Sequence, residues 1–443
     1  MAIMAPSLTS LVFNVRRCEP ELVVPAKSTP HEFKQLSDVD DRERHHVPVI
    51  MFYRYDQSLE GKDPVKVIRE ALAQTLVFYY PYAGRLREGP DAKFIVECTG
   101  EGVMFIEADA DVTLEEFGDA PHPPFPCIDE LIFEVPGSGG MANCPLLLFL
   151  VTRLRCGGFA LALRYNHIMS DGMSIHQFMI AVGEMAQGAS APSIPPVWQR
   201  QLLNARNPPQ VTFTHHEFDE VVESKVFASS LHDMACNCFF FGPTQISAIR
   251  KKLPHHLHNS STFEVLTACL WRCRTIAIQL DSEDEVRLIF AINVRNKFNL
   301  PIGYYGNGIA VSLALTAAGK LCQNPLEYAL ELIKSAKNNV TEEYVRSLID
   351  LLVIKGRPFL TMVHSYFVSD MTRIRFEALD FGLGKAAFGG PGKIFPEPGL
   401  DPANYYMPMK NSQGEEGIMV PMCLPTLAME RFVKELDSIL GDH

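Results

Sequence analysis

Apolar residues recur at helical spacing along several segments of the chain. Between residues 63 and 79, Val65, Ile68 and Leu72 lie three to four positions apart, which places their side chains on one face of an α-helix. Pro64 near the start of this segment is typical of a first helical turn. Further helices are predicted at 172–187, 243–252, 261–280, 325–338, 341–355 and 429–440.

Apolar runs bounded by glycine predict β-strands. Residues 146–154 and 159–165 are two such runs, and Cys156-Gly157-Gly158 between them is typical of a hairpin turn. Other strands are predicted at 93–97, 102–108, 238–241, 287–294, 364–369, 386–389 and 417–422. Because helices and strands are mixed throughout, the predicted fold class is α/β, with mixed sheets flanked by helices.

The clearest seam in the sequence lies between residues 188 and 225. Prolines, small residues and a polar run are concentrated there, and this composition is typical of a connection between domains. We therefore predict an N-terminal domain at 1–190, a crossover linker at 191–225 and a C-terminal domain at 226–443.

Charge and cysteine content argue against some classes of function and indicate a cellular location. The 443 residues include 52 acidic and 40 basic ones, and the net charge of −12 argues against a general role on nucleic acid or anionic membrane. No apolar run approaches the length of a membrane span. The 11 cysteines are scattered and show no CxxC spacing, so we expect reduced thiols and a cytoplasmic location.

Several common site motifs are absent from the sequence. It contains no GxSxG, GxxxxGK[ST], GxGxxG or HExxH pattern, which argues against the hydrolases, nucleotide-binding proteins and metalloproteases that carry them. The run His255-His256-Leu257-His258 suggests a metal site, but no carboxylate or cysteine adjoins it to complete a ligand set. We expect an exposed loop there and no bound metal.

The strongest candidate for catalysis is His167, in the run His167-x3-Asp171-Gly172. The spacing alone is weak, since His215 and Asp219 repeat it in the polar linker. His167, however, follows a predicted strand that fixes its backbone, and Gly172 permits a tight turn into the next helix. An imidazole can take a proton from an alcohol that attacks an acyl carbon. The alternative is a hydrogen-bonded histidine at a strand end, and the motif and its context leave both open.

A second motif, Asp380-Phe381-Gly382-Leu383-Gly384, gives this pattern a family resemblance. Together with His167-x3-Asp171-Gly172 it resembles the plant BAHD acyl-CoA-dependent acyltransferases, whose signatures are HxxxD and DFGWG. The resemblance extends over nearly the whole chain and is greatest to the alcohol acyltransferase branch, which includes benzoyl-CoA:benzyl alcohol benzoyltransferases. Further landmarks are the segments 22–30, 36–41, 79–86, 304–307 and 420–425.

The resemblance implies an architecture and roles for the motif residues. It implies two chloramphenicol-acetyltransferase-like domains with a tunnel between them, and acyl-CoA as co-substrate with no permanently bound cofactor. His167 would be the base at the middle of the tunnel. Asp171 would turn away from the tunnel and pair with an arginine. The loop with Gly382 and Gly384 would be structural, with Asp380 pairing Arg295.

The resemblance also suggests where the two substrates bind. Leu383 replaces the family's tryptophan, which would reshape the acceptor pocket and favour a bulkier or unusual alcohol. The remaining predicted pocket residues are His46, Val49, Met51 and Asn307, although ordinary core packing is an alternative for Val49 and Met51.

Coenzyme A carries phosphates, so an acidic protein needs a local cationic site for it. Lys251 and Lys252 end one predicted helix, and Ser261 and Thr262 at the start of the next offer hydroxyls and free N–H groups. We predict CoA binding in this region. The alternative is a solvated charge cluster at a helix end.

The sequence thus predicts a monomeric acyl-CoA:alcohol O-acyltransferase, with an aromatic acyl donor favoured by the family branch. Two alternatives stay open at this point. One is an N-acyltransferase on the same fold, and the other is a catalytically silent relative that binds acyl-CoA without turnover.

Overall fold

Three β-sheets organise the chain, of which a computed structural model describes residues 11–118, 121–220, 233–394, 404–411 and 413–441. The strands are β1 (Val15–Arg17), β2 (Glu21–Val23), β3 (Phe33–Gln35), β4 (His46–Tyr53), β5 (Arg85–Glu88), β6 (Phe94–Glu97), β7 (Val103–Ala110), β8 (Leu147–Leu154), β9 (Phe159–Asn166), β10 (Met234–Phe241), β11 (Glu285–Asn293), β12 (Ile309–Ala317), β13 (Ser365–Asp370), β14 (Ala386–Pro391), β15 (Asn404–Lys410) and β16 (Glu416–Pro425).

Helices cover the two large sheets. They are α1 (Pro64–Phe78), α2 (Ile128–Leu131), α3 (Gly172–Ala186), α4 (Pro243–Lys251), α5 (Thr262–Ile278), α6 (Ala318–Gln323), α7 (Leu326–Asn339), α8 (Glu342–Ile354) and α9 (Thr426–Leu440). One large sheet has the order β1-β7-β8-β9-β4-β14, with β2 also on β7; the other has the order β10-β16-β15-β13-β11-β12. The small sheet has the order β3-β6-β5. Mixed sheets flanked by helices confirm the predicted fold class.

The longer helices follow the predicted apolar periodicity and differ from the predicted bounds by a few residues. Asp63 caps α1 by accepting from the backbone N–H of Val65 at 3.3 Å. The apolar pattern did not predict three long strands, β4, β12 and β15. The β12 segment is rich in Ala, Ser and Thr, and such small residues give little contrast between a helical and a strand pattern.

Strand β14 departs from the simple division of the chain into two halves. It lies in the predicted C-terminal domain, after β10–β13 in the chain, yet it pairs antiparallel with β4 in the first sheet, with Gly389 opposite Met51. The second half of the chain therefore completes the first sheet. The predicted boundary between residues 225 and 226 falls in 221–232, outside the described residues.

Val49 and Met51 are buried core residues of β4. Side chains alternate between the two faces of a strand, and Val49 and Met51 pack with α1 and α3 in one cluster, whereas Ile50 and Phe52 pack in another on the opposite face. The core-packing alternative therefore describes Val49 and Met51, which are 1% and 0% exposed.

The crossover segment is fastened through a buried ion pair. Nη1 of Arg200 lies 2.8 Å from Oδ1 of Asp40, and both side chains are almost completely buried. The guanidinium also lies 4.3 Å from the ring centre of Trp198 and donates to the backbone oxygen of Met169 at 2.8 Å. The crossover is thereby held against the turn that carries the HxxxD motif.

A disulfide joins Cys236 and Cys423, which corrects the expectation of reduced thiols throughout. The two residues are direct partners in the antiparallel register of β10 and β16, and their Cα atoms lie 4.1 Å apart. They are 187 positions apart in the sequence, so no local spacing indicated the pair. Cys269 and Cys273 are buried free thiols, as expected for small apolar side chains.

The described helices can be compared with what a membrane-spanning helix requires. Within the ranges given above, none combines the length and the apolar character that crossing a bilayer requires.

Candidate active site

His167 stands at the end of β9, where the strand turns into a short 3₁₀ segment (His167–Met169). Its backbone N–H donates to the carbonyl of His45 at 2.8 Å, and its own carbonyl accepts from Nδ2 of Asn307 at 2.9 Å. His45 precedes β4 of the first sheet, and Asn307 precedes β12 of the second. The histidine is therefore fixed where the two halves of the chain meet.

The imidazole of His167 lies among polar groups that the motif did not predict. Its ring stacks on that of His45, with centroids 4.7 Å apart and planes 24° from parallel. Its Nδ1 lies 3.9 Å from Oε2 of Glu43, and both side chains are 14% exposed. Nδ1 is buried and has no hydrogen-bond partner. Since Nδ1 is turned inward to Glu43, Nε2 is the nitrogen left to meet a substrate.

Glu43 and His45 were missed by the sequence analysis. They belong to the run Arg42-Glu43-Arg44-His45-His46, and such a charged run is usually a solvated segment. Only the pairing of β4 with β9 brings this run to His167. The one available signal was its position directly before a buried strand.

Asp171 is the N-cap of α3, and its hydrogen-bond partners are groups other than the ring of His167. It accepts from the backbone N–H of Ser174 at 2.9 Å, as an N-cap. It also accepts from Nη2 of Arg295 at 2.8 Å and from the N–H of Gly308 at 2.8 Å. Burial raises the pKa of this carboxyl, but Arg295 and the N–H donors outweigh it and hold the pKa below its usual value. Asp171 therefore acts as an ionised anchor.

The predicted pair between Asp380 and Arg295 is wrong, because Arg295 is engaged by Asp171. Asp380 instead accepts from the backbone N–H of Gly382 at 2.8 Å, which holds a tight turn in which Gly382 has a φ of 70°. The loop lies on α3 at Gly183, where a Cβ would come within 2.6 Å of the Asp380 carbonyl oxygen. The loop is thus structural, but through turn geometry and close packing. Gly384 also has a positive φ, of 90°.

The variant Asp380→Asn tests this correction. An asparagine oxygen can still accept from the N–H of Gly382, so we expect the free energy of unfolding to change by less than about 1 kcal/mol. Denaturant unfolding measures it. A loss near 3 kcal/mol, the size expected for a broken buried ion pair, would show that the charge of Asp380 has a partner.

The remaining predicted pocket residues have different surroundings. Leu383 is 6% exposed and packs in the same core as Phe381. Asn307 is fully buried and donates to Asp40 at 2.9 Å, so it positions the backbone of His167 rather than lining an open pocket. His46 has a buried Nε2 without a hydrogen-bond partner, and burial, followed by the charge of Arg164, lowers its pKa to about 4.

In the predicted CoA-binding region, the N-terminus of α5 is capped by side chains of the protein itself. Ser261 accepts from the N–H of Glu264 at 3.3 Å, and the Glu264 carboxylate accepts from the N–H of Ser261 at 2.8 Å. The prediction of a free N–H group and a free hydroxyl is therefore wrong for Ser261, because Glu264 engages both. Thr262 lies 3.5 Å from a guanidinium nitrogen of Arg250. Lys251 and Lys252, also predicted to bind CoA, are exposed at the end of α4.

The other HxxxD match in the sequence has a structural role. His215 is buried, with Nδ1 2.9 Å from Glu217 and Nε2 3.0 Å from Oγ of Ser347. This resembles a Ser-His-Glu triad, but Ser347 is fully buried and its Oγ accepts from two backbone N–H groups of the crossover. Asp219 bonds to His216 instead, at 2.8 Å. The network fastens the crossover to α8.

The histidine run before α5 does have a carboxylate beside it in space. Nε2 of His256 lies 3.8 Å from Glu327, and Glu331 completes a group of three in which Glu327 is half-buried and the other two are exposed. The expectation that no carboxylate lies near these histidines is true of the adjacent residues in the sequence but wrong in three dimensions. Exposed acidic groups of this kind are common on protein surfaces.

Comparisons with known proteins agree with this architecture. A family model described as the transferase family matches residues 13–439. The chain is 62% identical to a benzyl alcohol O-benzoyltransferase of Petunia hybrida over 98% of this chain and 95% of that protein. It is 53% identical to a 13-hydroxylupanine O-tigloyltransferase of Lupinus albus over 98% and 97%. The crystal structure of vinorine synthase has a TM-score of 0.74 at 20% identity, covering 96% of this chain and 98% of that one.

A second solved structure supports the fold alone. TRI101 of F. sporotrichioides, complexed with coenzyme A and T-2, has a TM-score of 0.68 at 15% identity over 91% of this chain and 97% of that one. The family model and the high identity to named O-acyltransferases confirm the resemblance that the two motifs indicated. The chain belongs to the BAHD family of acyl-CoA-dependent acyltransferases.

Proposed function

We propose that this enzyme transfers an acyl group from a CoA thioester to the hydroxyl of an alcohol, with His167 as the general base. The observation that carries the proposal is the placement of His167. Its backbone is held by groups of both halves of the chain, and Nε2 of its ring is left for a substrate while Nδ1 is buried. A positioned imidazole contributes typically about 10²–10⁴-fold to such reactions.

The proposed reaction is a direct transfer within a ternary complex. Nε2 of His167 takes the hydroxyl proton as the alcohol oxygen forms a bond to the thioester carbon. The tetrahedral oxyanion then collapses, the carbon–sulfur bond breaks, and the departing sulfur takes the proton back from His167. Because the thiolate is already a good leaving group, the enzyme mainly positions the reactants. We place the two substrates in a channel on either side of His167.

The relatives guide the choice of substrates. The Petunia and Nicotiana tabacum relatives are named for benzoyl transfer to benzyl alcohol, at 62% and 60% identity. The Lupinus albus relative is named for tigloyl transfer to 13-hydroxylupanine. We therefore propose an aromatic or short branched acyl donor and a small or specialised-metabolite alcohol. A monomeric enzyme in the cytoplasm, without a permanently bound cofactor, completes the proposal.

A competition assay tests this function. The enzyme is given pooled CoA thioesters with pooled alcohols and amines, and the products are identified by mass. We expect esters, with benzoyl esters prominent. Amides in place of esters would favour the N-acyltransferase alternative, and the absence of any product would favour the catalytically silent one.

The variant Leu383→Trp tests the reshaped acceptor pocket. The family resemblance places residue 383 on the acceptor side, so we expect the larger indole to shift acceptor preference toward smaller alcohols. Because Leu383 packs in a core, we also expect the free energy of unfolding to fall by about 1–3 kcal/mol. Product ratios from mixed alcohols give the first quantity. Leu383→Met, which conserves volume, is the control. An unchanged acceptor preference in Leu383→Trp would contradict the hypothesis.

A further inference from the structure

The ring of His167 faces a carboxylate that does not come from the HxxxD motif. We propose that Glu43 is a positioning residue, which orients the imidazole of His167 in the tautomer needed for catalysis and stabilises the imidazolium formed during transfer. This inference rests on the proposed role of His167 as the base and names the group that supports it.

Distance and burial single out Glu43. Among the residues that the structure describes, it is the one carboxylate with an oxygen within 4.0 Å of a ring nitrogen of His167, the Oε2–Nδ1 distance being 3.9 Å. Nδ1 is buried and without a hydrogen-bond partner, which is costly for a polar atom. A movement of about 1 Å would make a hydrogen bond between the two, and such contacts often tighten only when substrate binds.

Asp171, the motif's own carboxylate, cannot do this work. Both of its oxygens are engaged, Oδ1 by Arg295 and Ser174 and Oδ2 by the N–H of Gly308. The two motif residues thus have different roles: His167 supplies the base, and Asp171 fixes the turn. The position of a carboxylate behind the base is left to Glu43.

Glu43 keeps its negative charge in this setting. Burial raises the pKa of the carboxyl, but the charge of Arg42 and the ring of His167 outweigh burial and hold the pKa below its usual value. The Arg42 guanidinium lies 3.3 Å from Oε1, which leaves Oε2 to face the histidines. Among the other groups that act on Glu43, His45 favours its charge and the more distant Asp171 opposes it.

His45 completes the surroundings of the catalytic ring, together with Tyr165, whose ring centre lies 5.8 Å from that of His167. Nδ1 of His45 also lies 3.9 Å from Oε2 of Glu43. Burial, followed by the proximity of His167, lowers the pKa of His45 to about 4, so this ring is neutral at working pH.

The proton inventory of the step is simple. Once the contact has tightened, Nδ1–H of His167 donates to Glu43 during the transfer, which keeps the Nε2 lone pair available for the hydroxyl proton of the alcohol. Nε2 holds that proton until the sulfur leaves with it. Glu43 is never protonated, as in other histidine–carboxylate pairs.

The variants Glu43→Gln and Glu43→Asp test the proposal by kcat, KM and the pH dependence of kcat/KM. In Glu43→Gln we expect kcat to fall roughly 10- to 100-fold with little change in KM, because the lost interaction matters only as the imidazolium forms. The acid limb of the profile should move to lower pH, since a neutral amide no longer favours the protonated ring. Glu43→Asp should recover part of kcat.

The matched control is Glu107→Gln. This change removes a carboxylate on β7 that pairs with Arg153 on β8 at 2.7 Å and does not contact the turn that follows β9. It should keep the parental kcat and pH profile. A parental kcat in Glu43→Gln would overturn the proposal. A lowered kcat together with an unchanged acid limb and a lowered melting temperature would also overturn it, because that combination indicates a purely structural role. The variant His167→Ala tests the proposed function separately. If it loses turnover while Glu43→Gln keeps the parental kcat, the role of Glu43 is wrong and the role of His167 stands.

Discussion

Replacing His167 with alanine should lower kcat by about 10²–10⁴-fold while leaving the fold intact. The reason is that the alcohol then loses the group that accepts its proton, and the neighbouring rings of His45 and His46 are weaker bases, because their pKa values are lowered to about 4. The backbone contacts of His167, to His45 and Asn307, involve main-chain atoms that alanine keeps. Ester formation followed by mass gives kcat, and the melting temperature checks the fold.

The control for this variant is His176→Ala, which removes another histidine from the same region of the chain. His176 lies on α3, and its Nε2 is 3.2 Å from the backbone oxygen of Arg375. It should retain most of the parental turnover. Full activity in His167→Ala would exclude His167 as the base, and an equal loss in both variants would point to a general disturbance of α3.

Replacing Asp171 with asparagine should cost about 3 kcal/mol of folding free energy and a large part of the activity. The change leaves the partly buried Arg295 without its ion pair, and breaking such a pair is strongly destabilising. Asn can still cap α3 through Ser174, so the loss reports chiefly on the charge. Denaturant unfolding and kcat measure the two effects.

The pH dependence of stability provides a second check on Asp171. Its folded-state pKa lies below the unfolded value of about 3.9. The stabilisation is therefore present above that pH and is lost as the pH falls through the folded pKa. Asp171→Asn should lack this acid-side loss. In a double-mutant cycle, Asp171→Asn with Arg295→Gln should cost less than the sum of the two single changes; additive losses would contradict the pair.

Local sequence patterns predicted much of this fold. Helices such as α1 and α3 carry their apolar faces in the spacing of their own residues, and HxxxD lies in one short turn whose preceding strand was also readable. What could not be predicted depends on pairing between distant segments. The pairing of β14 with β4, and of Cys236 with Cys423, joins residues more than 180 positions apart, and no local period encodes such a choice.

The same limit explains the site. The sequence pattern identified His167 and Asp171 as candidates, whereas the family resemblance implied a pair of Arg295 with Asp380. Charge pairs between distant loops cannot be checked without the register of those loops. Glu43 and His45 were overlooked because a charged run before a strand looks like a solvated one. The start of α5 looked open to phosphate for a similar reason: Glu264 reaches back to cap it only once the helix has formed.

The central claim is that the acyl group passes directly from the thioester to the hydroxyl, with His167 taking the proton. The most direct test is a single-turnover experiment with benzoyl-CoA, first alone and then with benzyl alcohol, in which free CoA and the intact mass of the protein are both followed. The account predicts no release of CoA and no change in protein mass until the alcohol is added, and then CoA and ester in equal amounts. Release of CoA without alcohol, with an acyl group bound to the protein, would contradict it.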